Sequence, residues 1–428
     1  MTTRSACFGS DRVIVVRVLI GTISFKWGDV MKRVTSLMGA FLLLGVLAGC
    51  GGGGSSTSTS NNGNNGGGSN GGGSLPAGTE LLYVGDNVGM IHGLGVDPGS
   101  GKLTTLSSVA VTNGAAAGDV GLAADSGGMI LYATSDGLGG PNVTSFLVDK
   151  QTGTLTPNTG QTLPVPPRKL AAAPGGGTSS LACCVYVIPD QSAHAAELFA
   201  FNINKFNGGL TLAPNQPFTL PGVPRDIAVT PSGNWIGVPF EGTSGGEIAG
   251  IGRDPNTGVI MLLPSPISPT STGGDEPGGI RVTPDGKFVV VVNQATNSVS
   301  VFSLNSGTGA LTEVSGSPFA TGNLPNPVAI DPSGKFVFVG NTGAGSLSAY
   351  TIDSAGSLTP VTGTPIQLAA NSQPSSIAVD PAGKFVYVSI VPQEVAGFAL
   401  DPSTGALTPI TGSPFSVGAV TRDMVFVP

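Results

Sequence analysis

The chain has 428 residues, of which 68 are glycine and 34 proline, while only 10% are charged. Glycine and proline together approach a quarter of the chain with no Gly-X-Y period, which excludes collagen, and their density excludes long helices and coiled coils. The formal charge is −7. The first 49 residues hold six of the 18 basic and two of the 25 acidic residues, leaving 12 positive and 23 negative groups downstream. A body so acidic, with no Lys/Arg run, repels phosphate backbones, so nucleic acid is not an expected partner.

Residues 1–30 carry Arg12, Arg17, Lys26 and Asp29 within a mildly apolar stretch. They read as an N-terminal extension or as a start codon placed too early, with Met31 the expected initiator. Residues 31–50, MKRVTSLMGAFLLLGVLAGC, have the parts of a signal peptide: Lys32 and Arg33, then an apolar run from Val34 to Val46 too short to span a bilayer. The closing Leu47-Ala48-Gly49-Cys50 resembles the lipobox of bacterial lipoproteins. That resemblance implies acylation of Cys50, export, and attachment to a membrane of the cell envelope. Residues 51–75 are rich in Gly, Ser and Asn, with almost nothing to bury, and read as a flexible tether.

From residue 76 to 428 one pattern recurs. Its clearest copies are GKFVVVVNQATNSVSVF (Gly286–Phe302), GKFVFVGNTGAGSLSAY (Gly334–Tyr350) and GKFVYVSIVPQEVAGF (Gly383–Phe398). Equivalent positions fall at Tyr83, Tyr132, Tyr186, Gly237, Val290, Phe338 and Tyr387, spaced by about fifty residues. Each copy contains four strand-like pieces separated by turns such as D-P-S-G. The run FVVVVN does not alternate, as expected of a strand buried on both faces. Four short antiparallel strands per repeat predict an all-β, seven-bladed β-propeller. The inner strands are predicted at Gly121–Ala124, Lys169–Ala172, Asp226–Thr230, Gly279–Thr283, Val328–Asp331, Ser376–Asp380 and Asp423–Val427. The last of these would complete the blade opened by Leu81–Val84, hiding both sheet edges.

The elements T-G-A-L-T (Thr308–Thr312, Thr404–Thr408), G-S-P-F (Gly316–Phe319, Gly412–Phe415) and D-P-S-G-K-F (Asp331–Phe336) carry a family likeness. Together they resemble the seven-bladed lactonase family, which includes 6-phosphogluconolactonases and muconate-lactonizing enzymes, and the related YVTN-repeat surface proteins. The resemblance implies the propeller fold and a site at the channel. Where the family shows H-P-H-S-V and V-P-D-L-G, this chain has Val223-Pro224-Arg225-Asp226-Ile227 and Val238-Pro239-Phe240-Glu241-Gly242. Where the family shows G-P-R-H and N-E, it has Glu276-Pro277-Gly278-Gly279 and Asn293-Gln294. The family's histidines and its Arg-His/Glu set are therefore replaced.

The only histidines are His92 and His194, and neither stands at an inner-strand start. With four cysteines and no His/Cys cluster, no metal and no cofactor is expected. Cys183 and Cys184 are adjacent, and read either as small buried residues or as a vicinal disulfide. Arg168, Arg225 and Arg422 each stand just before an inner strand. Asp86, Asp190, Asn293 and Asn341 stand at loops expected on the same face. Such a ring suits a small anionic or sugar-like ligand, or it serves only to satisfy a wet channel. Two functions follow as expectations: a membrane-anchored binding or interaction module, engaging a ligand or an envelope partner, and a divergent lactonase using Arg225 and Glu241.

Overall fold

The computed structural model describes residues 13–18, 21–26, 74–111, 118–137, 143–173, 181–191, 195–204, 207–242, 245–254, 259–263, 270–369 and 372–428. The signal-like segment, Cys50 and most of the tether lie outside the described residues, as does His194. Two compact units are present, Met1–Gly68 and Ser69–Pro428. In the first, Val13–Val18 pairs antiparallel with Gly21–Lys26. The sequence reading of this stretch as an extension did not anticipate a hairpin.

The second unit consists of seven antiparallel sheets. Blades are numbered here by the order of their inner strands. Those strands are Val120–Ala124, Pro167–Ala172, Ala228–Val229, Pro277–Val282, Pro325–Ile330, Gln373–Val379 and Thr421–Val427. Each inner strand packs beside the next, and the seventh returns to the first, so the ring is closed. The seventh blade joins the chain's two ends: Leu81 pairs with Val427, Tyr83 with Val425 and Gly85 with Asp423. The predicted clasp is what the structure contains.

Burial follows the radial order of the strands. In blade 4 the second strand, Phe288–Asn293, is buried at every position, and the third, Ser298–Leu304, at all but one. The fourth, Leu311–Glu313, is largely exposed. Neighbouring blades sandwich the middle strands, which explains the unbroken apolar runs. One core cluster combines Tyr387 and Phe385 of blade 6 with Leu82, Val84 and Phe426 of blade 7.

Two local features depart from the sequence reading. Blades 2 to 6 each carry an extra two-residue strand, such as Phe319–Ala320, which pairs with the third strand beside the fourth. Pieces of two residues have no periodicity to detect. The inner strand of blade 3 is only Ala228–Val229, shorter than the predicted Asp226–Thr230. Just upstream, Pro224 has no N–H to give, Arg225 N donates to Pro239 O, and the Asp226 side chain is turned to blade 4.

The D-P-S-G turn of blade 5 is held by its aspartate. Asp331 accepts the N–H groups of Lys335 and Phe336 on one oxygen, and the Ser333 N–H and hydroxyl on the other. Gly334 takes the left-handed φ of +71° that closes the turn. In blade 6 the turn reads D-P-A-G, so Ala382 offers no hydroxyl to the buried Asp380 carboxyl. The Glu80 carboxyl, from the second strand of blade 7, lies against Asp380. Burial first, and then the Asp380 charge, pushes Glu80 above the usual carboxylate range; Lys384 opposes this. Burial also pushes Asp380 up, against the N–H bonds from Phe385 and Lys384. Tyr387 faces both carboxyls and Asp97.

Both carboxyls bind protons more tightly in the folded than in the unfolded state. The stability they contribute is therefore fully present below about pH 4 and is lost as pH rises through their folded values. Glu80→Gln is expected to flatten that loss and raise the melting temperature at pH 8 relative to the parent. Melts from pH 4 to 8 check this; a difference between the two proteins that does not change with pH would count against it.

Candidate functional site at the channel mouth

Each blade carries the same three-residue register at, or in blade 3 just before, the start of its inner strand. The first position is Val120, Arg168, Arg225, Gly278, Asn326, Ser375 or Arg422, from blade 1 to blade 7. The second is Gly121, Lys169, Asp226, Gly279, Pro327, Ser376 or Asp423. The third is apolar and buried in all seven, from Leu122 to Met424. That buried third residue locks the strand start into the blade. The two residues before it are thereby left at one end of the channel.

Two adjoining cavities open there. One, of about 160 Å³, is lined by Arg168, Lys169, Gln191, Arg225, Asp226, Gly278, Arg281, Gln294, Asn326 and Ser375, among others. The other, of about 150 Å³, shares Arg168, Lys169, Asn326 and Ser375 and adds Asp119, Thr342, Gln373 and Arg422. A third space, of about 440 Å³, lies between the inner strands themselves. Lys169 borders all three spaces.

Most cations here have a carboxylate. Arg168 Nη1 lies 2.9 Å from Asp190 Oδ2, and Lys169 Nζ lies 3.2 Å from Asp423 Oδ2. Arg281 Nη1 lies 2.9 Å from Asp226 Oδ2, and Arg422 Nε lies 2.8 Å from Asp119 Oδ1. Arg225 differs. Its Nη1 donates to the neutral Gln191 Oε1 at 3.1 Å, and among the described residues no carboxylate pairs with it. Among the described residues, four of the five cations at the mouth are thus ion-paired, and Arg225 is the one held by a neutral side chain. Beside Asp119, Asp190 and Arg168, Asp136 accepts the Asp119 N–H; burial, then the Asp119 charge, pushes its carboxyl above the usual range.

The structure brings together Arg168, Arg225 and Asp190, with Arg422 beside them. It places Asp86, Asn293 and Asn341 elsewhere, inside their blades. Asp86 is fully buried, accepting the N–H groups of Val88 and Met90 and pairing with His92 Nε2 at 2.9 Å. Burial, the largest single effect, pushes its carboxyl up, but the His92 hydrogen bond and the Met90 and Val88 N–H bonds together outweigh it and hold the carboxyl below the usual range. His92 Nδ1 meets Ser108 Oγ, so this histidine is committed to the blade. Asn293 donates to the hydroxyls of Ser298 and Ser300, and Asn341 does the same to Ser346 and Ser348. Glu241 is exposed and accepts the Glu276 N–H at 2.9 Å, and it does not line the cavity. Lys169, Arg281, Gln191 and Asp119 were not singled out from sequence. Among the described residues no group of three or more His, Cys, Asp or Glu is arranged to hold a metal ion. Cys184 is fully buried and its sulfur is in a disulfide.

The family model described as Lactonase, 7-bladed beta-propeller matches residues 264–325 and 317–425. Solved structures resemble the chain over most of its length. The periplasmic gluconolactonase of Pseudomonas aeruginosa is 19% identical, with a TM-score of 0.66, covering 82% of this chain and 99% of that one. A candidate 6-phosphogluconolactonase from Bacteroides fragilis is also 19% identical, with a TM-score of 0.63 and the same coverage. Another, from Bacteroides uniformis, is 16% identical with a TM-score of 0.62, covering 81% and 99%. A search of the curated proteins found no match. At these identities the likeness establishes the fold. The chain is a seven-bladed β-propeller whose blades 4 to 6 and closing strand match the lactonase family model.

Proposed function

We propose that this propeller is an envelope protein, lipid-anchored through Cys50, whose channel mouth binds a small anionic, hydroxylated ligand of the sugar-acid kind. The observation that carries the ligand class is the Arg225 guanidinium, which lines a small polar cavity and among the described residues is held by Gln191 rather than by a carboxylate. Asn326, Gln294 and Ser375 line the same space and supply amide and hydroxyl groups for a polyol. The envelope half rests on Lys32-Arg33, the apolar run and Leu47-Ala48-Gly49-Cys50. Fractionation tests it: the chain is expected in the membrane pellet, and recovery as a soluble protein would overturn it.

Lactone hydrolysis is the second reading, favoured by the family model and by the names of the structural neighbours. It needs a general base for water and donors for the developing oxyanion. The carboxylate lining the first cavity, Asp226, already holds the Ile280 N–H at 3.1 Å and the Arg281 guanidinium at 2.9 Å on its Oδ2, so it serves the contact between blades 3 and 4 rather than standing free beside a water. Binding without turnover is therefore the expected behaviour. Calorimetry with gluconate and 6-phosphogluconate should give saturable binding, and Arg225→Ala should weaken it about 10- to 100-fold, the worth of one charged hydrogen-bond set. Saturable hydrolysis of glucono-δ-lactone that Arg225→Ala abolishes would move the assignment to the enzyme.

A further inference from the structure

Arg168 and Arg225 occupy the same register in neighbouring blades, and both are half-buried. Each is held by one of the two residues that directly follow blade 2's second strand, Leu181–Pro189. Asp190 takes Arg168 within the blade, and Gln191 reaches across to Arg225 of blade 3. The two arrangements differ in one chemical respect, a carboxylate against a carboxamide. We infer that Gln191 is a positioning residue that fixes the Arg225 guanidinium while leaving its charge uncompensated, and so makes this the anion-selecting point of the mouth. The inference rests on the ligand class proposed above, and adds which residue sets its charge preference.

The chemistry follows from the donor inventory. A guanidinium carries five N–H donors and no acceptor, so its partner atom must be the Gln191 carbonyl oxygen. One N–H is thereby spent on Gln191, and the Arg225 backbone is tied separately through its N–H to Pro239 O at 2.9 Å. Gln191 also lines the cavity, and its Nε2 carries two further donors. An anion entering this space meets donors on both side chains and no carboxylate on either. A glutamate at 191 would recreate the neighbouring Asp190–Arg168 pair. It would replace the Nε2 donors with acceptors and pair the Arg225 charge.

Two measurements on the full chain test this. Gluconate binding by calorimetry is expected to fall about 30-fold or more in Gln191→Glu, but only a few-fold in Gln191→Ala, which loses the tether and keeps the charge. Equal losses in the two variants, or none in Gln191→Glu, would overturn the inference. Phenylglyoxal labelling mapped by mass spectrometry needs no ligand. Arg225 is expected to react faster than Arg168, Arg281 and Arg422, and Gln191→Glu to remove that difference. Labelling of Arg225 no faster than of Arg168 would also overturn it. Fast, variant-sensitive labelling with no gluconate binding in the parent would support the charge assignment and reject the proposed ligand class instead.

Discussion

Replacement of Asp423 by alanine is expected to destabilise the propeller by about 3–5 kcal/mol, the cost of removing one partner from a buried, hydrogen-bonded ion pair. Asp423 is buried at the junction of four blades. Its Oδ1 accepts the Ser376 hydroxyl of blade 6 at 3.1 Å and the Met424 N–H of its own strand at 3.0 Å. Its Oδ2 accepts the Leu122 N–H of blade 1 at 3.1 Å and sits 3.2 Å from the Lys169 ammonium of blade 2. Alanine removes all of these at once and leaves Lys169 without its carboxylate. Asp423→Asn keeps acceptors and shape while deleting the charge, and should cost less than alanine. Urea unfolding monitored by tryptophan fluorescence reads both. A cost below about 1 kcal/mol for alanine would place Asp423 among ordinary exposed pairs and remove its role in closing the ring.

Asp226 repeats this arrangement between blades 3 and 4, where its Oδ2 takes the Ile280 N–H and the Arg281 guanidinium. Aspartate therefore stands at the second register position in two of the seven blades, and in both it bonds the next inner strand. Blades 1 and 4 have glycine at that position and use close approach instead. A Cβ on Gly121 would lie 2.1 Å from Arg168 O, and one on Gly279 would lie 2.6 Å from Asn326 O. Both solutions bring the free edges of neighbouring inner strands together at the mouth. Asp226 and Asp423, and Asp119 through Arg422, thus each tie one blade to another, while Asp190 holds Arg168 within blade 2.

The blade count and the clasp were legible because the second strands, buried on both faces, carry unbroken apolar runs at a steady period. Charge partners were less so. Arg168, Arg225 and Arg422 could be placed from their position before the buried register residue. Asp119 precedes the register by a residue, Arg281 follows it by one and Lys169 is its second member, and the partner each takes depends on how the blades are set beside one another. Asn293 and Asn341 were assigned to the rim because both end a second strand. A signal for their inward position was present: each is followed by a Ser-x-Ser, at Ser298-Val299-Ser300 and Ser346-Leu347-Ser348. Those hydroxyls point back into the sheet and receive the carboxamide. Gln191 carried no signal, since its role appears only when blade 3 is set beside blade 2.

Tyr387→Ala is expected to cost about 3–5 kcal/mol, in the range of large aromatic truncations in a close-packed core. Tyr387 is fully buried in blade 6, with its ring centroid 5.8 Å from that of Phe426 and 6.4 Å from that of Phe385. Its hydroxyl donates to Gly101 O at 2.6 Å, across the seam where blade 7 closes the ring. Tyr83 makes the same bond from blade 7 to Gly153 O of blade 1, at 3.0 Å. The glycine turn that each hydroxyl caps is itself tightly seated: Gly101 has φ of +70°, and a Cβ there would lie 2.5 Å from the Phe385 ring. Tyr387→Phe keeps the packing and deletes the bond, so it should cost about 1–3 kcal/mol, the penalty of leaving a buried carbonyl unpaired. Chemical denaturation of the two variants separates packing from hydrogen bonding at the seam. If alanine costs no more than phenylalanine, the ring contributes nothing beyond its hydroxyl, and the seam is held by the glycine turn and the paired strands Glu80–Asp86 and Thr421–Val427.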